Sequence, residues 1–96
     1  MINTVKTALE ILREIGEEVT IDQSRVLNSI ANTLEQEIIR LEVLYYSCVK
    51  ELAVETNSCR DICISLKAGN DWHGSANTLK TAIDRLQERA KARLCK

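Results

Sequence analysis

The chain has 96 residues, a formal net charge of −1 and no proline, with one Trp, two Tyr and no Phe. This length fits a single domain over residues 1–96, with a mostly aliphatic core. The balanced charge excludes the global attraction to nucleic acid or to acidic membranes that a strongly basic chain has.

The first predicted helix spans about residues 3–15. Val5, Ala8 and Leu12 recur at intervals of three and four, which is typical of a helix with one face on a core. Gly16 follows, and glycine readily adopts the left-handed conformation that ends a helix. We therefore expect a short amphipathic helix followed by a tight connection.

The second predicted helix is very long and spans about residues 21–67. Thr20 and Gln23 have the spacing of a capping box at its start. The poor helix formers Thr56–Ser58 mark an alternative, in which the helix breaks there and the chain forms four helices. The apolar residues alternate steps of four and three apart from an interruption at Glu55, so that one seam faces a partner helix: Leu27, Ala31, Leu34, Ile38, Leu41, Tyr45, Cys48, Leu52, Cys59, Ile62 and Leu66.

The third predicted helix spans about residues 75–94, with Asp71 as the alternative start, and follows a turn over residues 69–74. Gly69 and Gly74 flank this turn. The three elements predict an all-α fold, a helical bundle of one short, one very long and one medium helix with antiparallel packing. The apolar stripe of the third helix consists of Ala76, Leu79, Ala82, Ile83, Leu86, Ala90 and Leu94.

The middle of the long helix needs more cover than its neighbours can give. Between Ile38 and Val54, apolar residues spread around the whole helix, and such a helix is normally enclosed. We therefore expect dimerisation to complete the bundle, as a homodimer, with a compact four-helix monomer as the alternative. The predicted protein interface consists of Ile38, Ile39, Leu41, Tyr45, Tyr46, Val49, Leu52 and Trp72.

Cys59, Cys63 and His73 are the one combination of side chains that resembles a metal site. Cysteines four residues apart share a helix face, and His73 follows in the turn. The CxxC spacing of structural zinc sites is absent, so we expect free thiols that pack as small apolar groups, and no metal or cofactor. A metal or thiol site is the lesser alternative, and an intermolecular disulfide through Cys95 is left open.

The last predicted helix ends in a basic segment. Cations at this position complement the negative end of the helix dipole. Phosphate binding needs clustered Lys and Arg, but these side chains lie on several sides of the helix and have no aromatic neighbour. A nucleic-acid contact is therefore the alternative only, and it would use Arg85, Arg89, Lys91, Arg93 and Lys96.

These features predict a binding protein rather than an enzyme, since the sequence has no Gly-rich phosphate loop and no nucleophile motif. We expect a non-enzymatic protein–protein interaction module, a small helical adaptor or inhibitor that acts on a larger protein. A small nucleic-acid-associated regulator is the alternative. Charges at Lys6, Glu10 and Arg13 interrupt any signal-peptide core, and no apolar stretch is long enough for a membrane span. We therefore expect a cytoplasmic protein without a membrane partner.

Overall fold

The computed structural model of this protein describes residues 2–16, 19–44, 46–69 and 71–94. Within these ranges every regular element is a helix, which confirms the all-α class. The elements are α1 (Ile2–Ile15), α2 (Ile21–Val43), a 3-10 segment (Tyr46–Leu52), α3 (Ala53–Ala68) and α4 (Trp72–Leu94).

The prediction of one continuous helix over residues 21–67 is wrong. α2 ends at Val43, with the Leu44 N–H donating to the Arg40 carbonyl at 2.7 Å, and the chain tightens into the 3-10 segment before α3 begins. A 3-10 helix has three residues per turn, so Val49 and Leu52 share one face and both enter the core. Folding back in this way buries apolar surface that a straight helix would expose.

The alternative of four helices has the right number of helices but the wrong position for the break. α2 ends at Val43 and α3 begins at Ala53, whereas Thr56–Ser58 lie inside α3. Thr56 is fully buried, and its hydroxyl donates to the Ala53 carbonyl at 3.1 Å. This bond satisfies the hydroxyl within the helix, so a poor helix former is tolerated there.

The local signals at two helix ends are confirmed. Thr20 caps α2, and both bonds of the capping box are present at 3.3 Å, with the Gln23 N–H donating to the Thr20 hydroxyl and the Thr20 N–H donating to the Gln23 side chain. Gly69 ends α3 in the left-handed conformation, with φ 81°. α4 begins at Trp72, close to the alternative start at Asp71 rather than at residue 75, and Asp71 accepts the Gly74 N–H at 3.4 Å.

The cap of α2 is expected to be worth about 1 kcal/mol of unfolding free energy, so Thr20→Ala should lose that amount. Thr33→Ala is the matched control, because the Thr33 hydroxyl donates only to the Ser29 carbonyl within the helix. We expect the control to change stability by less than about 0.5 kcal/mol. Chemical denaturation measures both losses, and equal losses would contradict the role of the cap.

The helices pack as an elongated bundle with extents of 43 × 20 × 18 Å. α1 packs against α2 and α3, and α4 packs against α3 and, over a shorter length, against α2. Ion pairs show that α1 and α2 run antiparallel, as do α3 and α4, whereas α1 and α3 run parallel. The pairs are Lys6–Glu42 at 2.8 Å, Arg89–Glu55 at 3.5 Å and Lys67–Glu14 at 3.0 Å.

One core runs through this bundle. Each helix contributes the apolar positions that recur every three or four residues, and the 3-10 segment adds two more. The largest fully buried apolar side chains are Leu12, Leu27, Leu34, Leu41, Leu52, Leu66, Leu79, Ile83 and Leu86. The seam predicted for a single long helix is therefore shared between α2, the 3-10 segment and α3, which all face the same core.

Candidate functional site

The candidate site is an apolar surface at the end of α2, which we call the α2-end patch: Ile39, Val43, Leu44 and Tyr46. Their exposed fractions are 48%, 72%, 53% and 71%. Ile39 and Val43 are one helical turn apart, and Tyr46 opens the 3-10 segment directly beyond them. Large apolar side chains grouped in this way on a surface mark an interaction site more often than scattered ones do.

A shallow cavity extends this surface. It has a volume of about 500 Å³ and lies between the 3-10 segment and the start of α1. Ile2, Tyr46 and Val49 give it apolar walls, and Asn3 and Lys50 give it a polar edge. A side chain of a docked protein could therefore be received next to Tyr46.

The eight predicted interface residues fall into four groups in the structure. Ile39 and Tyr46 are exposed in the α2-end patch. Trp72 lies at the opposite end of the bundle, at the start of α4, where its ring meets His73 edge-on at 5.3 Å between centroids. Tyr45 falls outside the described residues. The other four are buried in the core of the chain itself: Ile38, Leu41, Val49 and Leu52.

Val43 and Leu44 are members of the patch that the predicted interface does not include. Val43 shares the helix face of Ile39, four residues earlier, and this spacing is the signal that could have identified it. Leu44 lacks this spacing from Ile39 and follows the last residue of α2, so the same signal does not identify it.

The charges that border the patch are paired within the chain. Glu42 is held by Lys6 of α1 at 2.8 Å, and Arg40 donates to Glu37 at 3.3 Å. Glu37 is only 1% exposed, and no sequence signal singled it out. A buried carboxylate needs a compensating cation or donor. Glu42 and Arg40, which border the α2 part of the patch, are thus each paired with an opposite charge of the same chain.

The structure does not bring the cysteine and histidine residues together as a metal site. Cys59 and Cys63 are fully buried in α3, while His73 is exposed at the start of α4. Burial raises the pKa of each thiol to about 12, so both are protonated at neutral pH and are poor metal ligands. Among the described residues, no three His, Cys, Asp or Glu side chains are grouped as a metal site. Cys95 lies outside the described residues.

The basic end of α4 is partly neutralised. Arg89 pairs with Glu55 of α3 at 3.5 Å, and Arg93 pairs with Glu51 of the 3-10 segment at 3.3 Å. Arg85 and Lys91 are exposed, and Lys96 falls outside the described residues. Two of the five predicted nucleic-acid contacts thus bind carboxylates of the same chain.

Two further findings bear on identity. Taking the described helices together, none combines the length and the apolar character that crossing a membrane requires. No family model, no curated protein and no solved structure matches this chain.

Proposed function

We propose that this protein is a non-enzymatic protein–protein interaction module whose contact surface is the α2-end patch. The exposure of four large apolar side chains at one place carries the proposal. Full burial of one such side chain is worth about 1.5–3 kcal/mol relative to exposure. Burial of the patch by a bound protein would therefore contribute several kcal/mol of favourable free energy to the complex.

The shape of the patch favours a protein as the ligand. Ile39 and Val43 are exposed on the surface of α2, which is convex. Small molecules, in contrast, bind in concave sites that surround the ligand. An exposed helix face of this kind suits a second helix or a groove on another protein. Tyr46 adds an aromatic anchor with a hydroxyl, a residue type enriched at binding hot spots.

Photo-crosslinking in cells that naturally express the protein tests this proposal. A photoreactive residue at Val43 should give discrete protein adducts, and Ile39→Asp in the same chain should abolish them. A photoreactive residue at Ile64 on α3 is the control, since its exposed fraction of 51% is close to the 48% of Ile39. The absence of adducts from Val43, or adducts that persist with Ile39→Asp, would contradict the proposal.

A further inference from the structure

The outer face of α2 carries a second seam, opposite the one that faces the core. Its residues are separated by alternating steps of three and four: Ser29, Asn32, Gln36, Ile39 and Val43. All five are exposed. This alternation keeps one line of side chains directed at a partner helix over the length of the contact.

We infer that a second copy of this chain covers this face, with the two α2 helices parallel and in register about a two-fold axis. The inference rests on the proposed function and names its partner. It is carried by the charges that flank the seam, Glu35 and Arg40, which lie on opposite edges of the exposed face.

The spacing of these two charges matches a parallel pair. With Gln36 and Val43 at position a of the heptad and Ile39 at position d, Glu35 occupies position g and Arg40 occupies position e. In a parallel pair, each g residue faces the e residue five positions further along the other helix. Glu35 of each copy therefore faces Arg40 of the other, and symmetry provides this attraction twice.

An antiparallel pair would lose these contacts. In that arrangement g faces g and e faces e, so that Glu35 and Glu42 of both copies line one side of the pair and Arg40 of both copies lines the other. Like charges across an interface disfavour the arrangement. The flanking charges thus select the parallel pair over the antiparallel one.

Both flanking charges are accessible, although each already has a partner. Glu35 is paired with Arg13 of α1 and Arg40 with Glu37, yet the side chains of Glu35 and Arg40 are 48% and 51% exposed. A carboxylate accepts several hydrogen bonds and a guanidinium donates five. Each group can therefore bind across the dimer without releasing its partner on its own chain.

The residues within the seam can also contact the same residues of the second copy favourably. Asn32 and Gln36 carry amides, and an amide both donates and accepts, so that two identical amides can bind each other across the axis. A polar pair within such a seam fixes the register of the helices. Ile39 and Val43 supply the apolar contact. Because the apolar part is short, we expect a reversible dimer with a dissociation constant in the micromolar range.

Sedimentation equilibrium over a range of concentrations measures this dimer. Wild type and Ile64→Asp should dimerise alike, whereas Ile39→Asp should weaken association about tenfold or more. A wild-type chain that stays monomeric throughout, or equal effects of the two aspartates, would overturn the inference. Circular dichroism first shows that each variant is folded, and both substituted side chains are exposed.

A charge exchange tests the flanking pairs. Glu35→Arg and Arg40→Glu should each weaken self-association, because every flanking contact becomes a like-charge contact. Circular dichroism first shows that each variant is folded, since Arg40→Glu also removes the cation beside the buried Glu37. An equimolar mixture of the two variants should form a mixed dimer, since each contact then joins opposite charges again. If the mixed dimer has a dissociation constant no lower than that of either variant alone, the role assigned to these charges is overturned.

Disulfide trapping tests the orientation. In a background with Cys48 and Cys95 replaced by serine, Asn32→Cys should give a cross-linked dimer on oxidation, because position 32 meets its own copy only in the parallel, in-register pair. Asn57→Cys, an exposed asparagine of α3, should not. A dimer that Asn32→Cys fails to trap overturns the parallel arrangement. A monomeric chain that still crosslinks another protein from Val43 overturns the dimer while leaving the interaction module in place.

Discussion

Replacing Leu41 with alanine is expected to lower the free energy of unfolding by about 2–5 kcal/mol, the usual cost of removing most of a buried leucine. Leu41 is 0% exposed, whereas Leu44, three residues later, is 53% exposed. Leu44→Ala should therefore change stability by less than about 0.5 kcal/mol. Chemical denaturation followed by circular dichroism measures both variants, at a concentration low enough to keep the chain monomeric.

The contrast between these two leucines tests which side of the last turn of α2 enters the core. Residues three apart lie at different angles around a helix, as buried Glu37 and exposed Arg40 do within α2. Leu41 faces the core, whereas Leu44 follows the last residue of α2 and is exposed. Similar losses from both alanine variants would contradict this difference in burial. A domain of this size is stable by about 5–15 kcal/mol, so the Leu41 variant should remain measurable.

Local signals in the sequence predicted the all-α class and two helix ends, the capped start of α2 and the glycine that ends α3. The hydroxyl and amide of Thr20 and Gln23 form the capping box by themselves, and Gly69 supplies the left-handed residue. These interactions join residues close in sequence, so spacing alone reveals them. The same holds for the apolar stripes that became the core.

The break between α2 and α3 could not be predicted in this way. Apolar spacing continues through Leu52 because both helices and the 3-10 segment face one core, and spacing does not record whether the chain has turned. The segment Tyr46–Leu52 contains no proline or glycine to mark it. Tertiary packing decides its conformation, since burial of Val49 and Leu52 outweighs the preference of these residues for a regular helix.

The candidate site depended on that break, which is why only part of it was predictable. The sequence showed a segment that is apolar on all sides, and the structure divides this segment between core and surface. Ile38 enters the core while its neighbour Ile39 remains exposed. The ion pair between Arg13 and Glu35 also joins residues 22 positions apart, so the pairing of the charges beside the site could be found only from the arrangement of the helices.

Raising the pH from about 9 to about 11 is expected to destabilise this protein strongly through Cys59 and Cys63. Burial raises the pKa of each thiol from 9.0 to about 12 in the folded chain. Between these values the unfolded chain releases both protons and the folded chain keeps them. The unfolded state then binds fewer protons, so stability falls as pH rises. The loss sums to about 4 kcal/mol for the two thiols over this interval.

The double variant Cys59→Ala, Cys63→Ala separates this effect from other titrations. Lysine and tyrosine side chains also titrate at alkaline pH, but they do so in both proteins, so the difference between the two curves belongs to the thiols. The variant should be less stable than wild type at neutral pH, because it loses buried sulfur, and should fall less steeply with pH. Chemical denaturation under reducing conditions gives both curves. If the unfolding free energies of wild type and variant change with pH in parallel, the thiols ionise as readily in the folded chain as in the unfolded one. That result would contradict the full burial of both thiols inside α3.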